Sequence, residues 1–176
     1  MDDLERDLIE KAQAGDRDAF TQLILWHEGA LGRMALSALK EPNDAADAIQ
    51  ETILRAWKNL PRLRQPQFFR TWLIRILLRE CATLRKSREK YSHAELPDDT
   101  WEQAAPAVPR DTVLDVRTVL ETLSRDDRMI LTLYYFDDFP VREIAEALHI
   151  SQSAAKQRLH RAREKFRAAY EERGKL

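Results

Sequence analysis

Cysteine occurs once in these 176 residues, glycine four times and proline seven. The single cysteine, Cys81, excludes an internal disulfide framework and suits a reducing cytoplasm. It falls in an apolar helical stripe, so it reads as a core residue rather than a nucleophile. Glycine and proline are sparse, and no stretch alternates apolar and polar residues long enough to argue for a strand. An all-α chain is what remains. No run approaches the ~18 consecutive apolar residues of a membrane span, so no membrane insertion is expected. The opening Met-Asp-Asp-Leu-Glu lacks the apolar stretch of a signal peptide. The four histidines, His27, His93, His149 and His160, have no metal-ligand spacing with Cys81 or with one another. Neither a phosphate-cradling glycine loop nor a Gly-x-Ser-x-Gly turn is present. The sequence therefore gives no support for catalysis, a metal or a cofactor, and the expectation is a protein that is not an enzyme.

An excess of one charge is also missing from the whole, whose formal net charge is -1, but the charges are sharply segregated. Residues 1–54 carry 5 basic and 12 acidic side chains, and residues 55–90 carry 11 basic and 2 acidic. Residues 91–115 turn acidic again, 1 against 6, and residues 116–176 hold 12 against 10, with the basic ones massed after Ser151. Two basic zones separated by acidic ones suggest two nucleic-acid contacts and at least one face for another partner.

Helical periodicity and breakers divide the chain into two small helical domains, 1–90 and 111–176, joined by a flexible linker at 91–110. Asp2 or Asp3 can cap a first helix to about Ala14, which Gly15 ends. Asp16 starts a second, with Phe20, Leu23, Ile24, Leu31, Met34 and Ala38 on one side. Asn43 is the expected cap of a third, where Ala45, Ile49, Ile53, Ala56 and Trp57 keep helical spacing up to Pro61. Leu60 to Gln67 is a loop. A fourth helix over about Phe68 to Lys90 turns Phe69, Leu73, Ile76, Leu77, Cys81 and Leu84 inward. The stretch after it holds Pro97, Pro106, Pro109 and several acids without a sustained period, the pattern of a mobile tether. A helix from Asp111 to Leu123 follows, then Ser124 as the cap of a helix to about Phe136, and a break at 137–140.

Residues 143 to 167 carry the most information. Ile144, Ala145 and Leu148 form one apolar side of a short helix, with Glu143 and Glu146 expected to face water. His149-Ile150-Ser151 makes a turn, and Ser151 is a good N-cap for a longer basic helix. In that helix Ala155, Leu159, Ala162 and Phe166 point to the core, while Lys156, Arg158, Arg161, Arg163, Lys165 and Arg167 occupy much of the remainder. A helix-turn-helix offered this way places its first turn at base edges and its basic flank on phosphates.

Four stretches, in order and suitably spaced around the linker, carry a resemblance. They are Gly15-Asp16-Arg17-Asp18-Ala19-Phe20, the helix from Asp44 to Trp57, Phe69-Arg70-Thr71-Trp72-Leu73-Ile74-Arg75-Ile76, and the C-terminal unit from Leu123 through Glu143-Ile144-Ala145 to Arg163. Together they resemble the extracytoplasmic-function (ECF, group IV) sigma factors of bacterial RNA polymerase, within the sigma-70 family. The resemblance implies a sigma region 2 domain and a sigma region 4 domain that bind core polymerase, recognise the minus-ten and minus-thirty-five promoter elements and promote DNA melting.

It further implies which residues act. Asp47, Gln50, Glu51 and Leu54 would grip the clamp helices of the largest polymerase subunit, a role their i, i+4, i+7 ridge suits physically. Asp44 more simply complements the positive end of its helix. Arg64, Gln65, Gln67 and Phe68 would cradle the minus-ten strand and a flipped base. Arg75, Arg79, Arg85, Lys86 and Arg88 would line a phosphate track, while Phe69 and Trp72 suit the core better. Ser151, Gln152, Ser153, Lys156 and Gln157 would face the minus-thirty-five groove, with Arg158, His160, Arg161 and Arg163 on phosphates and Leu159 and Ala162 in the core. The second-largest subunit's flap and an anti-sigma factor are implied partners. Arg79 and Thr83 stand where the family commonly has Asn and Asp, and Ser153-Ala154-Ala155 where it commonly has Gly-Thr-Val, which predicts an altered base preference. Two alternatives remain at this point: a stand-alone helix-turn-helix regulator, and a sigma mimic that titrates an anti-sigma factor without touching DNA.

Overall fold

A computed structural model describes residues 3–92 and 116–173, which are helical throughout apart from connecting turns, with no strand among them. Helix α1 spans Asp3–Gln13 and stops where Gly15 adopts φ +100°, a left-handed conformation that costs glycine little. Asp16 then caps α2, Arg17–Leu39: its Oδ1 accepts from the amides of Asp18 at 2.9 Å and Ala19 at 3.0 Å. Helix α3, Pro42–Asn59, begins one residue before the expected cap. Asn43 is already helical, Glu41 is the cap, and Pro42 takes the first helical position, where its missing N–H costs nothing. The expected loop contains two short 3-10 turns, Leu60–Arg62 and Pro66–Phe68, before α4, Phe69–Ser92.

These helices enclose a core in which Ile9, Leu23, Leu31, Met34, Leu60, Phe69, Leu73, Ile74 and Leu77 are almost fully buried. Phe69 therefore belongs to the core, as expected, with the rings of His27 and Trp72 at 5.5 and 5.8 Å. Cys81 is buried too, and burial pushes its thiol up to about 12, so no reactive thiolate forms near neutral pH.

The second unit comprises α5 (Val116–Thr122), α6 (Arg125–Leu131), a π-helical turn (Thr132–Phe136), α7 (Val141–Ala147) and α8 (Gln152–Arg173). Ser124 caps α6, as the sequence predicts. The break at 137–140 is tied down by the Phe139 amide, which donates to the Leu133 carbonyl at 2.9 Å and lets the Phe139 ring bury completely. Helix α4 runs two residues into the linker expected at 91–110; the rest of that linker, 93–110, and the start of the next helix at 111–115 lie outside the described residues.

The tether's composition does not predict that the two units pack against each other. Helix α2 lies on α6 and the π-helical turn, and α4 lies on α7. Buried side chains of both units join in one continuous apolar cluster. One consequence corrects the sequence reading. Glu143 does not face open water; it is half-buried and accepts a 2.6 Å hydrogen bond from the Thr71 hydroxyl of α4.

Candidate nucleic-acid interface

The turn between α7 and α8 sets the aim of the basic helix. Leu148 ends α7, His149 adopts φ 54°, and the Ile150 amide returns to the Ala145 carbonyl at 3.0 Å. A side chain at positive φ is strained by about 1 kcal/mol or more. His149→Gly should therefore raise stability by about 0.5–1 kcal/mol after glycine's greater unfolded-state entropy is counted. Chemical denaturation would show this as a higher midpoint at unchanged slope.

Ser151 caps α8, its Oγ accepting from the Ala154 amide at 3.1 Å. Ala155, Leu159 and Ala162 are buried against α6 and α7, and this anchors the helix by one stripe. The opposite side is left exposed: Ser151, Gln152, Ser153, Lys156, Gln157, His160 and Arg161. Two further residues assigned to phosphates are engaged within the chain. Arg158 is half-buried and pairs with Asp126 at 3.3 Å. The Arg163 guanidinium lies over the rings of Tyr134 and Tyr135, at 5.0 and 5.5 Å from their centres. Asp127 steadies the base of the helix through Lys165 and Ser124. Burial works against its charge, but those hydrogen bonds and the nearby cations outweigh it and hold the carboxyl below its ordinary range.

The second basic zone is organised by a contact the sequence does not reveal. The Gln13 side-chain amide donates to the carbonyls of Leu60 at 3.1 Å and Leu63 at 2.8 Å, pinning the loop before α4 to α1. Beyond this clamp Arg64, Gln65 and Gln67 are exposed and Phe68 is half-buried, with the Arg142 guanidinium 6.0 Å from its ring centre. Gln13→Ala should cost about 1–2 kcal/mol for two lost hydrogen bonds, and limited proteolysis should then cut first within 60–68. Along α4, Arg79 and Lys86 are exposed, Arg85 pairs with Glu89 at 3.3 Å, and Arg88 pairs with Asp44. Asp44 is buried and serves that pair. Thr83 donates its hydroxyl to the Arg79 carbonyl at 3.0 Å. Arg75 is half-buried and shares a shallow cleft with Arg142, Glu146, His149 and Gln152 of the second unit.

On α3 the expected ridge is present. Asp47 and Gln50 are exposed, and Leu54 beside them is 65% exposed. Glu51 is held upright by Arg55 at 2.8 Å, which also reaches the buried Glu80 at 3.1 Å. Trp26 and Leu25 on α2 are further exposed apolar side chains.

Residues 23–91 match the family described as Sigma-70 region 2, and residues 114–166 match Sigma-70, region 4. The chain is 31% identical over 170 residues to RNA polymerase sigma factor NccH of Alcaligenes xylosoxydans xylosoxydans, covering 92% of this chain and 91% of that one. The chain belongs to the sigma-70 family. Within it, relatives carrying the ECF designation place this sigma factor in the ECF group. It is also 33% identical to the probable RNA polymerase sigma factor RfaY of Xanthomonas campestris pv. campestris, matching 86% of this chain but 40% of RfaY's length. Among solved structures, CnrH in complex with the cytosolic domain of CnrY is similar, with a TM-score of 0.68, 27% identity and coverage of 94% and 96%. No helix among the sigma factor's described residues is long and apolar enough to cross a membrane.

The residues that sequence reasoning missed are those joining the two halves. Arg33, Ser37, Arg70 and Thr71 of the first face Arg128, Thr132, Asp137, Phe139 and Glu143 of the second. These partners lie some 70 to 100 positions apart, so no local pattern could have found them.

Proposed function

We propose that this chain is a dissociable promoter-specificity subunit acting in the cytoplasm. It directs the chemistry of RNA polymerase and performs none itself. The observation that carries this reading is the division of α8 into a buried stripe and an exposed polar face. Small and amide side chains lead that face and basic ones follow, on a chain matching both sigma regions. Ser151, Gln152, Ser153, Lys156 and Gln157 read the minus-thirty-five groove, and His160 and Arg161 take phosphates beside it. Arg158 and Arg163 join them only by leaving Asp126 and the tyrosine rings.

Melting without nucleotide hydrolysis requires a site that captures unstacked bases. Unstacking costs about a few kcal/mol per step, and stacking on an aromatic ring returns about 1–3 kcal/mol per base. Arg64, Gln65, Gln67 and Phe68 supply a cation, two amides and a ring for one displaced base, while Arg75, Arg79, Arg85 and Lys86 follow the backbone. Asp47, Gln50, Glu51 and Leu54 dock on the polymerase's clamp helices, with Leu54 as the apolar centre of a polar ridge. The second unit meets the flap of the second-largest subunit. An anti-sigma factor is the expected regulator, in keeping with the CnrH structure, which was solved with the cytosolic domain of CnrY.

Reconstitution with core polymerase on a promoter library tests the proposal. Run-off transcripts that require this chain are the expected result. Duplex binding without any dependence on core polymerase would mark a stand-alone regulator, and neither activity would mark a mimic.

A further inference from the structure

The loop that carries Arg64, Gln65, Gln67 and Phe68 is propped by a helix far from it in sequence. Helix α1 lies ahead of residue 23, where the match to Sigma-70 region 2 begins, so that match gives it no role. Its inner side is firmly seated. Leu8, Ile9 and Ala12 are buried, the Gly15 amide returns to the Ala12 carbonyl at 3.0 Å, and the Asp16 amide returns to the Lys11 carbonyl at 3.1 Å. From this platform α1 reaches both ends of the loop. At one end the half-buried Gln13 amide donates to the carbonyls of Leu60 and Leu63. At the other, Glu5 pairs with His27 at 3.2 Å, and the His27 ring packs 5.5 Å from that of Phe69, the residue after Phe68. Glu5 and Gln13 stand about 12 Å apart along the helix axis, given its rise per residue.

The backbone between these anchors needs such a prop. Each 3-10 turn closes on itself: the Leu63 amide donates to the Leu60 carbonyl and the Phe68 amide to the Gln65 carbonyl, both at 3.0 Å. Leu63, at φ -70° and ψ 108°, and Gln65, at φ -128° and ψ 86°, lie between the turns and are not helical. Gln13 fixes Leu63, which immediately precedes the exposed Arg64 and Gln65. A glutamine amide carries two N–H donors on one nitrogen, and here that nitrogen serves two carbonyls at once. Ordering a loose loop around a ligand draws on binding energy, so a site built on a loop is only as good as its support.

We propose that Gln13 is a positioning residue for promoter melting: it presets the loop at 60–68 in the shape that receives an unstacked base, which makes α1 part of the melting apparatus. The inference rests on the base-capturing role proposed above for Arg64, Gln65, Gln67 and Phe68. Gln13 itself touches no base. Its effect falls on the opening step, where a captured base keeps the strands apart. The minus-thirty-five contacts of α8 and the polymerase-docking ridge of α3 lie on other elements and are left intact.

The test uses the full chain in holoenzyme, on a promoter with 2-aminopurine in its minus-ten region to report unstacking. Gln13→Met keeps the length of the side chain and deletes its donors, whereas Gln13→Lys restores donors at similar reach. Gln13→Met should slow opening about tenfold, the equivalent of two lost hydrogen bonds. Core affinity should stay within about twofold of wild type, and Gln13→Lys should recover most of the opening rate. Abasic sites are then scanned along the non-template strand, because a merely structural defect would be indifferent to which base is missing. At the captured position wild type should slow, and its advantage over Gln13→Met should shrink to about twofold or less. Equal opening rates for wild type and Gln13→Met on the intact promoter would overturn the inference. So would a Gln13→Lys protein as slow as Gln13→Met, or a deficit that persists where the missing base slows wild type. A wild type that opens the promoter equally fast at every abasic position would instead overturn base capture by this loop, and the role of Gln13 with it.

Discussion

Lys156→Ala combined with Arg161→Ala should weaken binding of the reconstituted holoenzyme to promoter DNA by roughly 30- to 150-fold. That is about 2–3 kcal/mol for two lost contacts. Both side chains are exposed on the outer face of α8, while the stripe that anchors the helix, Ala155, Leu159 and Ala162, is untouched. Thermal stability should therefore stay within about 0.5 kcal/mol of wild type, and co-purification with core polymerase should be unchanged. Removing the phosphate contact of Arg161 should also flatten the dependence of binding on salt by about one unit of slope. Filter binding at several salt concentrations reads both quantities. Unchanged affinity, or a loss accompanied by non-cooperative melting, would show that α8 is a structural helix whose basic face is merely solvated.

Gln50→Ala combined with Leu54→Asp should have the reverse phenotype. Leu54 is 65% exposed, so its replacement removes almost nothing from the folded monomer. At the centre of a docked interface the same replacement buries an unpaired carboxylate and removes an apolar anchor. Central contacts of this kind carry 2 kcal/mol or more, so core association should fall at least about 30-fold. Fluorescence anisotropy of labelled protein titrated with core polymerase measures this directly. Neither α8 nor its DNA-facing side chains are touched. If core affinity is retained, the exposed ridge of α3 serves some other partner and the assignment of Asp47, Gln50 and Glu51 falls with it.

The elements most legible in the chain were those whose signals are local. Asp16, Ser124 and Ser151 cap helices because a short side-chain oxygen next to free amides meets the same need wherever it occurs. The core positions of α8 followed from period alone, and so did the burial of Phe69 and Cys81. At the start of α3 two local signals competed. Asn43 looked like the cap, but the proline before it is itself a favoured first helical residue and moved the start upstream. The candidate site was legible as a set of exposed polar and basic residues, but not as a set of unengaged ones. Arg158 and Arg163 look equivalent to Arg161 in the sequence; only the fold sets Asp126 beside one and the Tyr134 and Tyr135 rings beneath the other.

The sequence by itself determined the helical class, the order of the elements, the two basic zones, the acidic ridge that precedes them and the family they announce. All of these depend on spacing within a few turns of helix, where the geometry of the backbone converts residue order directly into position. Only the tertiary structure decided that Gln13 clamps the loop at 60–63, that Glu143 faces Thr71 rather than water, and that Asp137 closes on Arg33. Each of these pairs joins residues about 50 to 100 positions apart. Their meeting is set by how the packed helices stack, with no trace in the periodicity of either partner.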